Sequence, residues 1–296
     1  MITRKTLITL LGILPDKVSP GVVVIDEVDC GTYWRKTLEY AVESDERIRA
    51  FLCVPKALVG QAPGVYCFHQ HGGNRLLGKS ELVGLAGDPD QAYASELAAR
   101  GFVTLAPDAI CFEERCKDKG SPDYAHVHEL HARLIRGQTL LGKVLHDVSV
   151  GIDLLQEMAE VDGQRIGFIG HSYGGRTALF APVFDRRIQV SVCSCGSTNY
   201  RDMPGIQFDF VLPGVVRYGD IEDVVRLVEP SCLLILGGKE DERWGVGIEE
   251  LVQYARSAFV EGVLEFGIYP GGHHFSKDMR ERAYAFLRDH LMRNDA

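Results

Sequence analysis

A G-x-S-x-G pattern at Gly170–Gly174 could supply a catalytic nucleophile. In this pattern the serine, here Ser172, sits on a sharp turn between a strand and a helix, and the turn lifts its hydroxyl clear of the sheet. The preceding run "RIGFIG" has the composition of a buried strand, and the following run "GRTALFA" predicts a helix. The competing interpretation is a structural serine in an ordinary strand–helix turn. The strand–turn–helix setting favours the nucleophile.

A serine hydroxyl is a weak nucleophile until a base removes its proton, and the base is usually a histidine oriented by a carboxylate. Asp241 follows the strand-like run "CLLILGG", with Glu240 as the fallback acid, and His273 and His274 follow the run "LEFGIYPG". Because the carboxyl ends of parallel strands lie at one edge of a sheet, we expect the acid and the base to meet Ser172 there. The chain order Ser–Asp–His is the one expected of the α/β-hydrolase fold.

Ester hydrolysis by a serine also needs N–H donors for the oxyanion that forms on the substrate. One donor should be the backbone N–H of Tyr173, the residue after the serine. The other should come from the loop "HGGN" after the strand-like run "GVYCFHQ". Gly73 is the expected donor because glycine allows the backbone to approach the substrate closely, and Asn74 is the next candidate.

The same region suggests a different enzyme, because residues 73–80 match the P-loop pattern G-x-x-x-x-G-K-[ST]. A P-loop needs a tight glycine-rich turn and a long helix that starts at its Lys-Ser pair. Here the bulky segment 75–77 fills the turn, and the following "ELVGLAGDPD" allows only a short helix. The Walker-B-like run "VVVIDE" also precedes the pattern rather than following it. We therefore disfavour a P-loop NTPase and expect Lys79 to be an exposed loop residue.

The elements that must position these residues form one predicted α/β domain over residues 1–296. An N-terminal helix and antiparallel strands cover about 1–55, and alternating strands and helices form a catalytic core at about 62–296. Apolar strands in such alternation predict a mostly parallel sheet covered on both faces, which we expect to have eight strands. Two insertions, 110–138 and 197–229, interrupt the alternation, and long irregular segments of this kind are often functional lids.

The composition limits the partners. A net charge of -9 over 296 residues disfavours nucleic-acid binding. No run approaches the roughly 20 apolar residues of a membrane span. The N-terminal apolar run is interpreted as an amphipathic helix ended by Pro15 rather than as a signal peptide. Eight cysteines without a C-x-x-C pattern are typical of buried thiols in a reducing compartment. We expect a cytoplasmic protein without a membrane partner. The sequence does not decide whether the protein forms a homo-oligomer.

Several other polar groups allow two interpretations. One of the pair His69 and His71 is expected to brace the oxyanion loop rather than bind metal. The histidines at 126, 128 and 131 are expected on an exposed or pocket-lining helix face rather than in a zinc site. The run 113–115, "EER", is interpreted as an ion-paired turn near the pocket, with substrate binding as the alternative. The apolar segment 208–218 could form either a lid or part of the core.

The motifs "HQHGGN", "GHSYGG", "GGKED" and "YPGGHHF", in this order over nearly the whole chain, resemble the dienelactone hydrolase and acetyl-xylan-esterase-like group of α/β-hydrolases. Family members commonly end in Gly-His-x-Phe with a catalytic histidine, which favours His273 over His274. The resemblance implies a serine esterase for a small-molecule ester, without metal or cofactor. One departure is that dienelactone hydrolases proper have a cysteine where this chain has Ser172. A peptidase, a thioesterase and a C–C bond hydrolase with the same triad, or an inactive binding module, remain alternatives.

Overall fold

One nine-stranded sheet with helices on both faces organises the chain. A computed structural model describes residues 2–203 and 208–292. The strands are β1 (Val23–Asp29), β2 (Tyr33–Glu43), β3 (Glu46–Pro55), β4 (Ala62–Phe68), β5 (Val103–Pro107), β6 (Val161–His171), β7 (Ile188–Ser194), β8 (Cys232–Gly238) and β9 (Leu264–Tyr269). The helices are α1 (Arg4–Leu10), α2 (Lys79–Leu82), α3 (Tyr93–Ala98), α4 (Pro122–Ile135), α5 (Leu140–Glu157), α6 (Tyr173–Phe184), α7 (Ile221–Arg226), α8 (Ile248–Ala255) and α9 (Lys277–Leu291).

The strand order is β1-β2-β3-β5-β4-β6-β7-β8-β9. The first three strands pair antiparallel, β3 pairs antiparallel with β5, and every later pair is parallel. The predicted mostly parallel α/β sheet with antiparallel first strands is confirmed, but the expected count of eight strands is one too few. All three antiparallel strands join the sheet, including the largely exposed edge strand β1, which brings the count to nine.

The central strands bury alternate residues in two separate cores. Tyr66 of β4 and Phe168 of β6 stack at 5.4 Å on the face that α5 and α6 cover. Their neighbours Val65 and Ile169 face the opposite core, which contains residues of α3 and α9. Burial on both faces explains the near-continuous apolar runs of these strands. Because both faces of the sheet are covered, polar side chains can come together at the carboxyl ends of the strands.

The first insertion is more regular than expected, because it contains the 14-residue helix α4. Pro122 occupies its first turn, where a missing N–H costs nothing. Gly137, with φ of 73°, follows its end. A helix face was expected only around the three histidines, because the segment's many charged and polar residues obscure the apolar face that would indicate a longer helix.

The second insertion consists of three short 3₁₀ turns and α7 as far as it is described, since residues 204–207 lie outside the described part of the chain. Asp220 caps α7 through a reciprocal hydrogen-bond pair with Asp223. Within the segment 208–218, Phe210, Leu212 and Val215 are buried in the core. For these three residues packing, rather than a lid, is the correct interpretation.

The N-terminal helix α1 is amphipathic as predicted, but it ends before Pro15. Leu7 is buried, and Leu11 is the C-terminal cap. The chain then turns at Gly12, whose φ is 84°. A Cβ at this position would lie 2.2 Å from the Gly137 carbonyl oxygen, so the close contact between the two loops requires glycine. Among the helices of the described residues, none combines the length and the apolar character needed to cross a bilayer.

Candidate active site

Ser172 stands in the turn between β6 and α6, as the G-x-S-x-G pattern predicts. Its backbone has φ of 56° and ψ of -109°, in a region that residues with a side chain rarely adopt. The flanking residues must be glycines because a Cβ atom would clash with the backbone. A Cβ at Gly170 would lie 2.3 Å from the Gly174 carbonyl carbon, and a Cβ at Gly174 would lie 2.1 Å from the Phe68 oxygen. The motif therefore folds into the sharp turn of a nucleophile elbow.

His273 connects Ser172 to Asp241 by two hydrogen bonds. Its Nε2 lies 2.8 Å from the Ser172 Oγ, and its Nδ1 lies 2.7 Å from an Asp241 carboxylate oxygen. Asp241 follows β8 and His273 follows β9, so the two loops bring their side chains to the edge where β6 ends. The His273 side chain is one-third exposed (33%), whereas the Asp241 side chain is only 3% exposed. A substrate can thus reach the imidazole while the carboxylate stays shielded from water.

Asp241 is held in its ionised form. Burial raises the pKa of this carboxyl group, but the hydrogen bonds from His273 and from the backbone N–H groups of Trp244 and Arg243 outweigh burial, and the pKa is lower than its ordinary value. The two backbone donors lie 2.9 and 3.2 Å from the other carboxylate oxygen, Oδ1. These contacts therefore fix both the orientation and the negative charge of the Asp241 carboxylate.

The two fallback residues lie beside this hydrogen-bond chain rather than in it. His274 is exposed, and its backbone N–H donates to the Gly272 oxygen at 2.9 Å. Glu240 exchanges hydrogen bonds with Gly271: its N–H donates to the Gly271 oxygen at 3.0 Å, and its carboxylate accepts from the Gly271 N–H. Glu240 thus holds the loop that carries His273.

His171 is a site neighbour that the sequence did not single out, although it is the variable residue before Ser172 in the motif. Its buried ring lies 4.9 Å from the His273 ring and stacks on Phe275 at 5.7 Å. Its Nδ1 lies 2.9 Å from the Ser194 Oγ. Burial, followed by the charge of His273, lowers the pKa of His171 well below its ordinary value. A neutral ring therefore packs against His273.

The predicted oxyanion loop lies beside the elbow, and two of its N–H groups already have acceptors. The Gly73 N–H donates to the His71 Nδ1 at 3.0 Å, and the Asn74 N–H donates to the His71 oxygen at 3.1 Å. Tyr173 is the first residue of α6, where a backbone N–H has no partner within the helix. For the N–H groups of His71 and Gly72, the described residues provide no acceptor.

His69 braces the start of this loop, as expected for one member of the H-x-H pair. Its Nδ1 lies 2.7 Å from the Gln70 oxygen, and its Nε2 accepts from the Ala109 N–H at 3.0 Å. This arrangement fixes the neutral tautomer with the proton on Nδ1. Burial lowers the pKa of His69 to about 4, so the ring is uncharged at neutral pH.

Lys79 is buried, which contradicts the expectation of an exposed loop lysine. Its ammonium group lies 2.7 Å from Asp108, 2.9 Å from Glu113 and 3.2 Å from Glu114. These carboxylates follow β5, about 30 residues away along the chain, so the local sequence gave no signal of them. The "EER" run does form an ion-paired turn, because its arginine, Arg115, pairs with Glu46 and Asp147 at 2.8 Å each.

The three histidines of the first insertion do not converge on one point. All three lie on α4, but only His126 is buried, with its Nε2 at 3.0 Å from an Asp209 oxygen. His128 and His131 are exposed. The exposed helix face expected for all three is found for His128 and His131, whereas His126 is buried beside Asp209.

The family assignment follows from comparison with known proteins. Residues 48–204, a segment that includes the oxyanion loop and Ser172, match the model of the dienelactone hydrolase family. The chain belongs to this family. A lactone is a cyclic ester, and members of the dienelactone hydrolase family, including this chain, are carboxylic ester hydrolases.

Several relatives extend the comparison to nearly the whole chain. YtaP, a Bacillus subtilis (strain 168) protein described as a hydrolase, is 29% identical over 247 residues, covering 80% of each chain. A Bacteroides fragilis NCTC 9343 structure described as an acetyl xylan esterase superposes with a TM-score of 0.73 at 16% identity, covering 96% of this chain and 80% of that one. A glucuronoyl esterase from Solibacter usitatus gives 0.71 at 14% identity, covering 96% and 91%. At these identities the structural similarity establishes the α/β-hydrolase fold of this dienelactone hydrolase family member.

Proposed function

We propose that this protein cleaves a carboxylic ester through an acyl-enzyme intermediate on Ser172. The observation that carries the proposal is the unbroken hydrogen-bond chain from the Ser172 Oγ through His273 to Asp241. The Oγ attacks the ester carbonyl carbon while the His273 Nε2 accepts its proton. Asp241 accepts the Nδ1 proton, which keeps the imidazole in the tautomer that leaves Nε2 free to act as the base.

The tetrahedral oxyanion is stabilised by backbone N–H groups on both sides of Ser172. Tyr173 supplies one donor, and the loop His71–Asn74 supplies the other. Gly73 serves as the loop donor when its N–H exchanges the His71 Nδ1 for the substrate oxygen, and the backbone N–H of His71 is the alternative. The removal of one such donor typically raises the barrier by about 3 kcal/mol.

Collapse of the tetrahedral intermediate completes the acylation. The His273 imidazolium returns the proton to the departing alcohol, and the acyl group remains on the Ser172 Oγ. A water molecule, deprotonated by His273, then attacks the acyl carbon and releases the acid. No step of this route uses a metal or a cofactor.

An alcohol is the leaving group favoured by the relatives, since both structural neighbours named above are described as esterases. Amide, thioester and C–C bond cleavage use the same triad chemistry and are the competing reactions. A carbohydrate ester is the substrate class that these neighbours suggest. The particular acyl group and alcohol depend on the two insertions.

The proposal is tested by the hydrolysis of 4-nitrophenyl acetate by the wild type and by Ser172→Ala. We expect the variant to lose at least about a thousandfold in kcat, because nucleophile and base act as a unit. Ser191→Ala is the matched control, since Ser191 is equally buried, lies in β7 and donates to the Ala178 oxygen. Turnover by Ser172→Ala at the wild-type rate would refute the nucleophile assignment.

The alternatives need separate substrates with the same pair of proteins. A fluorophosphonate probe should label the wild type at Ser172, whereas an inactive binding module would remain unlabelled. Acetylated xylo-oligosaccharides, an acyl thioester and a peptide p-nitroanilide then compare the leaving groups. A higher kcat/KM for the thioester or the anilide than for every ester would overturn the ester assignment while leaving the triad in place.

A further inference from the structure

The buried carboxylate of Asp209 joins three segments that are far apart in the sequence. Asp209 lies in the 3₁₀ turn Phe208–Phe210 of the second insertion and is fully buried. One oxygen lies 3.0 Å from the Nε2 of His126 on α4, and the other lies 3.6 Å from the guanidinium group of Arg75, next to the oxyanion loop. A single side chain therefore links both insertions to that loop.

Arg75 is the contact through which Asp209 reaches the loop His71–Asn74. Its side chain is only 5% exposed, and its guanidinium group lies 4.8 Å from the centre of the Phe112 ring. Its Nε donates to Asp123 at 3.2 Å, and its carbonyl oxygen accepts from the Glu113 N–H at 2.8 Å. Because both its backbone and its side chain are held, Arg75 fixes the end of the loop.

Tyr173, the donor on the other side of the oxyanion, contacts the same cluster. Its fully buried ring packs edge-on against Phe210 at 5.2 Å and stacks on Phe112 at 5.6 Å. Burial, followed by the charge of Asp209, raises the pKa of Tyr173 well above its ordinary value. The turn that carries Asp209 therefore contacts both sides: Asp209 lies beside Arg75, and its chain neighbour Phe210 packs on Tyr173.

The charge of Asp209 is balanced by the groups around it. Burial raises the pKa of this carboxyl group, but His126, Arg75 and His71 outweigh burial, and the pKa is lower than its ordinary value. A buried ion that loses its partners is strongly destabilising, so the carboxylate holds these side chains in fixed positions. Since Asp209 is 0% exposed, contact with a substrate is not its role.

We propose that Asp209 is a positioning residue that fixes the two sides of the oxyanion hole relative to each other: it holds the loop His71–Asn74 through Arg75, and it anchors the turn whose Phe210 packs on Tyr173 of the elbow. This inference rests on the proposed ester hydrolysis. It makes the second insertion part of the catalytic apparatus, because the packing of that insertion sets the distance between the two donors.

The test is Asp209→Asn, which preserves the shape of the side chain and removes its charge. We expect kcat for 4-nitrophenyl acetate, per serine titrated with fluorophosphonate, to fall at least about tenfold while KM changes less than about twofold. Interactions made only in the transition state behave in this way. The affinity for a trifluoromethyl ketone, which forms a tetrahedral adduct on serine, should fall by a similar factor. The affinity for acetate should not change.

Asp220→Asn is the matched control, because Asp220 is a buried acid of the same insertion that caps α7 and accepts from the Tyr200 N–H at 2.6 Å. It should lower the melting temperature without changing kcat per titrated serine. Unchanged kcat in Asp209→Asn, or an equal loss in both variants, would overturn the inference. Should Asp209→Asn fail to fold, Arg75→Lys takes its place with the same expectations. Loss of turnover in Ser172→Ala with full turnover in Asp209→Asn would leave the proposed function intact.

Discussion

The buried ammonium group of Lys79, a residue of the P-loop pattern, lies 2.9 Å from the Glu113 carboxylate. The same carboxylate accepts from the backbone N–H groups of Gly78 and Ser80 at 2.9 and 3.0 Å. In a phosphate-binding loop these N–H groups would face the phosphate. Here the Glu113 carboxylate takes the position that a bound phosphate would occupy. The residues of the pattern therefore form an ion pair and hydrogen bonds within the chain.

Lys79→Ala should destabilise the fold strongly. The substitution removes the cation that the buried Asp108 shares with the partly buried Glu113, and the loss of one partner of a buried ion pair costs about 3–5 kcal/mol. Urea unfolding at pH 7 measures the change in the free energy of unfolding. Lys5→Ala, at an exposed position on α1, should change it by less than about 0.5 kcal/mol. Equal effects of the two substitutions would contradict the buried ion pair.

The two adjacent histidines should respond in opposite ways to replacement. His273→Ala removes the group that bridges Ser172 and Asp241, so kcat should fall at least about a thousandfold. His274→Ala removes an exposed ring and should leave kcat within about threefold of the wild type. Steady-state kinetics with 4-nitrophenyl acetate measure both effects. The reverse result would assign the base to His274.

Asp241→Asn should lower kcat by about 10⁴-fold without unfolding the protein. The asparagine oxygen can still accept from the Trp244 and Arg243 N–H groups, which turns its NH₂ group toward the His273 Nδ1. The imidazole must then carry its proton on Nε2, where it cannot accept a proton from Ser172. Glu240→Gln is the control, because its side-chain oxygen can still accept from Gly271. A similar loss in this control would indicate a general disturbance of the loop.

The contribution of His69 to the free energy of unfolding should fall as the pH is lowered from about 6.5 to 4, whereas Asp108, whose pKa burial raises to about 7, contributes in the opposite direction. Burial lowers the pKa of His69 from its ordinary 6.5 to about 4, so in this range the unfolded chain binds a proton that the folded protein excludes. A shift of this size corresponds to about 3 kcal/mol, present in full above pH 6.5 and lost as the pH falls toward 4. Urea midpoints at pH 7 and pH 4.5, compared between the wild type and His69→Gln, isolate the contribution of His69. His171 adds to it in the same direction.

His69→Gln should remove the His69 contribution, so the loss of stability between pH 7 and pH 4.5 should be smaller in the variant than in the wild type, because glutamine does not titrate. The exposed His274→Gln should retain the wild-type dependence and serves as the control. A pH dependence of His69→Gln identical to that of the wild type would contradict a neutral, buried His69.

The parts of the site that the sequence predicts are those whose signal is local. The turn at Ser172 follows from glycines that sterics require within four residues, and Asp241 and His273 follow from their positions just beyond apolar strands. The strand ends and the chain order were sufficient to place three distant residues at one edge. Of the two candidate acids, it is Asp241 that contacts His273.

The parts that the sequence does not predict depend on pairs that are distant along the chain. Lys79 resembles any surface lysine until Asp108 and Glu113, which follow a different strand, lie beside it. Asp209 lies in an apolar segment and His126 in a polar one, and only the packing of the two insertions shows that they meet. Their burial depends on tertiary structure, which composition and motifs do not reveal.

The backbone of Ser172, with its positive φ, has a consequence for protein engineering. Glycine adopts this conformation without the roughly 1–2 kcal/mol penalty that a side chain incurs. Selection for thermal stability alone would therefore favour Ser172→Gly, a variant that resists heat better than the wild type but lacks the nucleophile. Libraries for stabilisation should keep this codon fixed, because the fold and the chemistry place opposite demands on one residue.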